Sequence, residues 1–425
     1  MGSFSERSDV AEGGNVWAEA RARRRATGLP LVDWVTTDPT RAGLFPEEDV
    51  VAFAAALSQG ARAPYTPAAF GLRRAREALS EVLEVAPDRL VLLGSTSEGY
   101  SLLAKLLADV PGCVALPAPC YPLLPLLFAQ EGLACKRYPL VDSGPGFVPV
   151  WPESFAQKRG ADPSFLVTVS PASPTGECLD AASLAWLAQS RRPVVIDAVF
   201  EPYAAPLLPR PLGAQLDALP LASLVVVLGG LSKFAGLPQA KLAWMSLHGP
   251  ASLVAEAQRR LAYLADSLLS PSGPIQHALP ALLKLAPQRQ MRLKQRLAEN
   301  TLALEQACVA APWLRVKHAS PAGTGGWYRV IEAPAVFSHP AVPAGRSDVA
   351  LALHLLDAGL ELYPGELFGF DSERLLVLSA LAYPAALRAH LPTLIALTDP
   401  HEPPPARSSP DDRSRTRAQQ AACAR

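Results

Sequence analysis

Two lysines lie close together in the stretch GGLSKFAGLPQAKLAW, residues 229–244. Lys233 follows a run of aliphatic residues and stands among glycine and serine, which predicts a turn at the carboxyl end of a strand. Ligands bind at this edge of an open α/β sheet. A lysine kept from water there has a lowered pKa and a neutral amine that can form an imine with a carbonyl compound. The alternative is an ordinary lysine on a surface loop.

A single acid, Asp197, ends the apolar run in RPVVIDAVF. A buried carboxylate needs a cationic partner, or it takes up a proton and becomes neutral. A protonated pyridine nitrogen would be a suitable partner. The alternative is an exposed acid in the loop after the strand.

Three hydroxyl residues stand between a strand and a helix in LVLLGSTSEGYSLLAKL. The start of a helix offers free N–H groups and the positive end of its dipole to an anion, and Ser95, Thr96 and Ser97 add hydroxyl donors. Serine and threonine also cap ordinary helices. Together with an imine-forming lysine and a buried acid, the turn suggests a site for a phosphate group.

Helical and strand-like segments alternate from about residue 68. The strand-like segments are short, apolar and rich in β-branched residues: RLVLL, CVALP, SFLVTVS, RPVVIDAVF and SLVVVLGG. The segments AFGLRRAREALSEVL and SEGYSLLAKLLAD have the apolar spacing of helices. This alternation predicts an α/β fold with a mainly parallel central sheet covered by helices on both faces.

After residue 250 the regular alternation of helical and strand-like segments ends. Residues 251–310 are predicted to be mostly helical, and GGWYRVIEAP, RLLVLSAL and DVALALHLLDAG predict a smaller C-terminal α+β domain. The basic segment WAEARARRRATGL predicts an amphipathic helix near the start. We expect an N-terminal arm that contributes to the small domain, a large domain, the small domain, and a disordered tail rich in proline, serine and charge; these are residues 1–45, 46–285, 286–398 and 399–425.

The composition narrows the class of partner. The chain has 425 residues, 49% of them apolar, and 39 basic residues balance 39 acidic ones. This balance favours neither nucleic acid nor an anionic membrane as a partner, so we expect a small molecule. The six cysteines are scattered and predict buried thiols in a reducing compartment without a metal site. With no apolar signal core or run of ~18 apolar residues, we expect a soluble cytoplasmic protein.

Seven motifs in order resemble those of the fold-type I pyridoxal-phosphate enzymes, specifically the class I and II aminotransferases. They are YTPAAFGLRRAREAL, GSTSEGYSLL, PAPCYPLL, SPASPTG, VVIDAVFEPY, LSKFAGLPQAKLAW and PGELFGFDSERLLVLSAL, within about residues 30–395. The resemblance implies that pyridoxal 5′-phosphate forms a Schiff base with Lys233 in the large domain. It also implies transfer of an amino group from an amino acid to a 2-oxo acid by a homodimer.

The resemblance also gives roles to individual residues. Lys233 would then move the proton between the substrate Cα and cofactor C4′, and Asp197 would hold the proton of the pyridine nitrogen. Lys241 matches an arginine that binds the phosphate, and an ammonium would bind it less directionally. Tyr121 matches an aromatic ring that stacks on the cofactor, and Tyr65 matches a tyrosine that reaches the partner's phosphate. The complete set of expected cofactor-binding residues is Ser95, Thr96, Ser97, Tyr121, Ser173, Asp197, Ser232, Lys233, Lys241 and Tyr65.

Four positions depart from the family's usual pattern. Ser173 and Phe200 replace an asparagine and a tyrosine that bond to the cofactor's phenolic oxygen, and Gly230 replaces a serine. Val377 stands where an arginine usually binds the substrate carboxylate, a contact that matters for recognition.

Three readings of Val377 follow. The carboxylate is held elsewhere, with Arg374, Arg329 and Arg41 as candidates. Alternatively, the enzyme is a lyase, racemase or synthase for a substrate without a conventionally bound carboxylate, or the protein binds the cofactor without turnover. A separate expectation concerns Trp327, Tyr328 and Phe368, which lie in segments that the resemblance places near the site. They predict an apolar pocket and an aliphatic or aromatic donor, unless they are core residues of the small domain.

Overall fold

The computed structural model describes residues 15–144, 146–156, 163–204, 210–269, 271–317, 325–334 and 336–401. The N-terminal residues 1–14, Cys423 and nearly all of the expected tail lie outside these ranges. The helices are α1 Val16–Ala26, α2 Glu47–Ala61, α3 Arg73–Leu83, α4 Thr96–Leu107, α5 Leu123–Gln130, α6 Ala181–Gln189, α7 Leu212–Asp217, α8 Leu231–Phe234, α9 Ala251–Asp266, α10 Gly273–Ala310, α11 Ser347–Asp357 and α12 Pro384–Thr398. The strands are β1 Val32–Asp33, β2 Leu90–Leu93, β3 Gly112–Ala118, β4 Leu133–Asp142, β5 Phe147–Pro149, β6 Phe165–Val169, β7 Val194–Asp197, β8 Val225–Gly230, β9 Ala243–His248, β10 Arg315–Lys317, β11 Tyr328–Glu332, β12 Leu360–Glu361, β13 Tyr363–Pro364 and β14 Leu375–Ser379.

An eight-stranded sheet in the order β2-β9-β8-β7-β6-β3-β4-β5 forms the centre of the large unit. Strands β8, β7, β6, β3 and β4 run parallel to their neighbours in that series. Strand β9 is antiparallel to both β2 and β8, so β2 points the same way as the parallel strands. The predicted mainly parallel sheet is therefore confirmed.

Helices bury both faces of this sheet. In β2, Val91 and Leu93 pack on the side of α4, α5 and α9. Leu90 and Leu92 pack on the opposite side, against α3 and α10. Successive side chains of a strand point to opposite faces, so a strand buried on both faces reads as an unbroken apolar run. This is why the strand segments were recognisable in the sequence.

A separate antiparallel sheet, β10-β11-β14-β13, forms the small C-terminal unit. It packs with α11 and α12 around an apolar core that also takes up Trp17 and Trp34 from the N-terminal segment. Strand β1 pairs with β12 beside this core. The helix predicted in WAEARARRRATGL is α1, and it packs against α11.

Helix α10 is the longest element, with 38 residues. The boundary expected between residues 285 and 286 falls inside it, so the domain limits stay a prediction. None of the helices in the described ranges has both the length and the apolar character needed to span a membrane. None of the five cysteines in the described ranges forms a disulfide, and Cys113 and Cys120 are buried.

Candidate active site

A cavity of about 390 Å³ opens at the carboxyl ends of β2, β6, β7 and β8. The parallel course of these strands brings their ends to one edge, and each is followed by a residue expected in the site. Nine of the ten residues predicted from the sequence line the cavity: Ser95, Thr96, Ser97, Tyr121, Ser173, Asp197, Ser232, Lys233 and Lys241. The tenth, Tyr65, does not.

Lys233 lies on the single turn of α8, directly after β8. Its Nζ is 3.4 Å from the carbonyl oxygen of Thr37 and 4.5 Å from the ring centroid of Trp327. Burial lowers the pKa of this amine to about 8, although the carboxylates of Asp38 and Asp197 oppose the shift. A substantial neutral fraction near pH 8 is what an imine-forming lysine requires.

Glycines allow the chain to turn sharply around Lys233. A Cβ on Gly229 would lie 2.5 Å from the indole nitrogen of Trp244, so only glycine fits against that ring. Gly236 has φ +61° and ends the turn, with Leu237 N–H donating to the carbonyl of Leu231. Glycine adopts this left-handed conformation at a helix end without steric cost.

Asp197 is buried at the end of β7 and accepts two hydrogen bonds. The hydroxyl of Tyr100 donates to its Oδ2 over 2.5 Å, and the backbone N–H of Val199 donates to its Oδ1 over 3.0 Å. Burial raises the pKa of Asp197, while these two bonds and the charge of Lys233 oppose the rise. The carboxylate is thus held in place and would gain from a nearby cation.

The turn from Gly94 to Ser97 forms another side of the cavity. Ser95 caps α4 by accepting from Glu98 N–H over 3.1 Å, and the Glu98 side chain accepts from Gly94 N–H over 2.8 Å. These two bonds fix the helix start and leave its dipole facing the cavity. Lys241 adds an exposed ammonium from a left-handed backbone position at φ 49°.

The donor set fits a phosphorylated pyridine aldehyde. An amine, a buried carboxylate, a helix start and a second cation surround one cavity, as described above. Ser173 Oγ is buried against this cavity, and no side chain or backbone group of the described chain bonds to it. An orphaned buried hydroxyl of this kind indicates a missing polar partner. Ring-sized space and four matching polar groups therefore support the cofactor.

The aromatic residues expected at the site take different positions. Tyr121 is 45% exposed at the cavity wall, where burial and the nearby Asp197 raise its phenol pKa. Tyr328 also lines the cavity, and Phe368 packs behind it at 5.6 Å between ring centroids. Tyr65 is 79% exposed and lines a second cavity, of about 200 Å³, beside His277. A single chain therefore does not bring Tyr65 to Lys233.

Val377 is fully buried in β14, opposite Val330 of β11, within an apolar cluster that includes Tyr328 and Phe368. Val377 therefore lies behind the part of the cavity wall that Tyr328 forms.

The candidate arginines lie away from the cavity. Arg374 forms a 3.3 Å ion pair with Glu332. Arg329 donates to Thr301 Oγ1 and to two backbone carbonyls, and burial lowers its pKa to about 10. Arg41 is exposed, and none of the three lines the cavity.

Sequence reasoning missed several residues that shape the site. Tyr100, Thr37, Tyr203 and Tyr363 contact the lysine, the acid or the cavity. Tyr100 had a local signal, because it follows the hydroxyl turn by one helical turn. The others come from distant segments and carried no such signal.

Comparisons with known proteins agree with this geometry. The family model described as aminotransferase class I and II matches residues 33–381. An alanine aminotransferase from Pyrococcus furiosus superposes with TM-score 0.76 at 18% identity, covering 93% of this chain and 99% of that one. A Thermus thermophilus aspartate aminotransferase double mutant gives TM-score 0.73 at 22% identity, with 93% and 100% coverage. A tyrosine aminotransferase from Leishmania infantum gives 0.74 at 16% identity, also with 93% and 100% coverage. No curated protein matches the sequence.

Proposed function

The chain belongs to the aminotransferase class I and II family, and on that premise we propose that pyridoxal 5′-phosphate binds covalently at Lys233 and that an amino acid and a 2-oxo acid are its substrates. The observation that carries the proposal is the pairing of Lys233 with Asp197. They stand at the ends of the adjacent strands β8 and β7 and line one cavity. An amine of lowered pKa and a buried carboxylate are the two groups that this chemistry needs from a protein.

When bound, pyridoxal phosphate supplies an electrophilic carbonyl carbon and a ring that accepts electrons. Lys233 would supply the amine that holds this group, with loss of water, and would accept the proton from the donor's Cα. Asp197, held by Tyr100, would keep a proton on the pyridine nitrogen. Trp327 and Phe200, with ring centroids 4.5 and 5.7 Å from the amine, keep water from it.

The phosphate is assigned to the other end of the cavity. The N–H groups at the start of α4 and the hydroxyls of Ser95, Thr96 and Ser97 would bind it. Ser232 lies on the same wall, and Lys241 supplies a balancing charge. Ser173 Oγ would donate to the cofactor's phenolic oxygen, and Tyr121 would pack on its ring.

We assign an aliphatic or aromatic side chain to the donor. Tyr121, Tyr328 and Tyr363 border the cavity, and the cluster around Val377 lies behind Tyr328. An uncharged aromatic wall favours apolar side chains over acidic ones.

We further propose a cytoplasmic homodimer. The side chain of Tyr65 is 79% exposed, and it lines a cavity that a second copy of the chain could enter. In a dimer its hydroxyl would reach the partner's phosphate, which completes the set of ten residues.

A panel of amino acids tests the proposed activity. The protein is loaded with pyridoxal phosphate, the lysine adduct is confirmed after borohydride reduction, and each amino acid is added without an acceptor. Formation of pyridoxamine phosphate and the matching 2-oxo acid, detected by mass spectrometry, is the expected result. A loaded protein that forms pyridoxamine phosphate with none of the amino acids would overturn the proposed reaction.

A further inference from the structure

The helical turn that carries Lys233 is too short to be stable by itself and so cannot fix the orientation of the Lys233 side chain. Helix α8 has four residues, and a single helical turn is unstable by itself. The last carbonyl groups of a helix also lack partners within the helix. The direction of the Lys233 side chain therefore depends on whatever satisfies these carbonyls from outside.

Three side chains satisfy four consecutive carbonyls of this segment. The hydroxyl of Tyr203 donates to the carbonyl of Lys233 over 3.0 Å. Gln290 Nε2 donates to Phe234 over 2.8 Å. Arg289 donates through Nε to Ala235 over 2.5 Å and through Nη2 to Gly236 over 3.0 Å. We call Tyr203, Arg289 and Gln290 the carbonyl cradle.

Arg289 is itself fixed by buried partners. It pairs through Nη1 with Asp49 of α2, and both side chains are only 3% exposed. Arg292 also binds this carboxylate over 2.7 Å, and the Arg289 guanidinium lies 4.4 Å from the ring centroid of Phe45. Buried charges that are fully hydrogen-bonded hold one geometry, because moving either partner leaves an unpaired charge.

Tyr203 connects the same turn to the aromatic ring beside the Lys233 amine. Its ring packs edge-to-face on Trp327 at 5.4 Å, and Trp327 is the ring that faces the Lys233 amine. The cradle therefore controls both the backbone of Lys233 and the surface against which its amine rests.

We infer that Arg289, with Tyr203 and Gln290, is a positioning residue for Lys233 that holds the amine against Trp327 and the Thr37 carbonyl. This inference rests on the proposed function, because it assigns the cradle to the same lysine. Arg289 is not among the residues that line the cavity, and it acts through the backbone. Its guanidinium replaces helix hydrogen bonds that a single turn cannot form.

The test uses the cofactor-free protein and measures the titration of Lys233 directly. The rate of its modification by a small amine-reactive reagent is followed against pH, with the adduct located by mass spectrometry. In wild type we expect a midpoint near pH 8. In Arg289→Lys, which makes fewer bonds, the amine reaches water and the midpoint moves up by about one pH unit or more.

Arg296 provides the matched control. It lies on the same helix and donates to the backbone carbonyls of Ala42, Leu381 and Ala382, none of which belongs to the turn of Lys233. Arg296→Lys should lower the unfolding temperature by a similar amount and leave the Lys233 midpoint unchanged. An Arg289→Lys protein that is less stable but titrates as wild type would overturn the inference.

Two milder variants keep the test decisive if Arg289→Lys does not fold. Tyr203→Phe and Gln290→Met each remove the donor to one carbonyl, and each should shift the midpoint upward by a smaller amount. Unchanged midpoints in both would refute the positioning role. A failure of the proposed function would be recognised separately. In that case the wild-type protein would form no lysine adduct with pyridoxal phosphate.

Discussion

Tyr100 donates a 2.5 Å hydrogen bond to the carboxylate of Asp197 and so ties helix α4 to the end of strand β7. The phenol lies one helical turn beyond the hydroxyls assigned to the phosphate. If the cofactor binds as proposed, this one helix would position groups at both ends of the cofactor, the phosphate through the helix N-terminus and the pyridine nitrogen through Tyr100 and Asp197.

Removal of the Tyr100 hydroxyl should weaken cofactor binding. In Tyr100→Phe the carboxylate loses a donor in a buried place, and a hydrogen bond to a charged group contributes about 1.5–3 kcal/mol. We expect the Kd for pyridoxal phosphate, measured by absorbance titration, to rise by roughly tenfold or more. Tyr138→Phe is the control, since this buried phenol bonds to the carbonyl of Val167. Equal affinities in Tyr100→Phe and wild type would remove Tyr100 from the site.

Lys233 and Lys241 should behave differently when each is replaced. Lys233→Ala should abolish the lysine adduct that survives borohydride reduction, while cofactor remains weakly bound through the phosphate groups. Lys241→Ala should keep the adduct and raise the cofactor Kd, because an ammonium beside the phosphate is lost. Peptide mapping of the reduced protein distinguishes them. An adduct that persists in Lys233→Ala would assign the covalent role to another lysine.

The lowered pKa of Lys233 should make the free energy of unfolding depend on pH. Its pKa is about 8 in the folded chain because of burial, below the ordinary value of 10.5 in the unfolded chain. Between these values the unfolded state binds more protons, so the contribution of Lys233 makes the cofactor-free protein more stable as pH rises from 8 to 10.5. Lys233→Met should lose this rise in urea unfolding experiments. The same pH slope in both proteins would contradict the lowered pKa.

Replacement of Arg329 or Arg374 should not affect substrate binding. Arg329→Met breaks bonds to Thr301 and two carbonyls and should cost about 1–3 kcal/mol of unfolding free energy. Arg374→Ala removes a half-exposed ion pair and should change stability by at most about 1 kcal/mol. Because both side chains point away from the cavity, the KM for the amino donor should stay unchanged. A large rise in KM with unchanged kcat in either variant would identify a carboxylate ligand.

Tyr65 tests the homodimer. Sedimentation should give twice the mass of one chain. Tyr65→Phe should raise the cofactor Kd several-fold without changing the unfolding temperature, because the hydroxyl is exposed in a single chain. Tyr263→Phe, at another highly exposed tyrosine on α9, should change neither. A monomer with full cofactor affinity would make Tyr65 a surface residue only.

Much of the fold could be read from the sequence because its strands are buried on both faces. RLVLL, SFLVTVS and SLVVVLGG became β2, β6 and β8, since two-sided burial requires an unbroken apolar run. Helix α2 and strand β4 were not predicted. Strand β4 carries exposed lysine and arginine between its buried residues and lies near the sheet edge, which weakens the apolar signal.

The sequence alone identified the polar groups at the strand ends. Asp197 ends one strand, and Lys233 and the hydroxyls of residues 95–97 come soon after two others, so local order placed them at one edge once the sheet was parallel. Family resemblance then gave them their roles.

The tertiary structure decided which distant groups control that chemistry. Tyr100 reaches Asp197 across 97 positions, and Arg289 reaches the turn of Lys233 across more than 50. Arg329 and Arg374 looked equally available in the sequence, but strand pairing and burial turned them toward Thr301 and Glu332. The direction of a long side chain depends on what packs around it, and that environment comes from segments far apart in the chain.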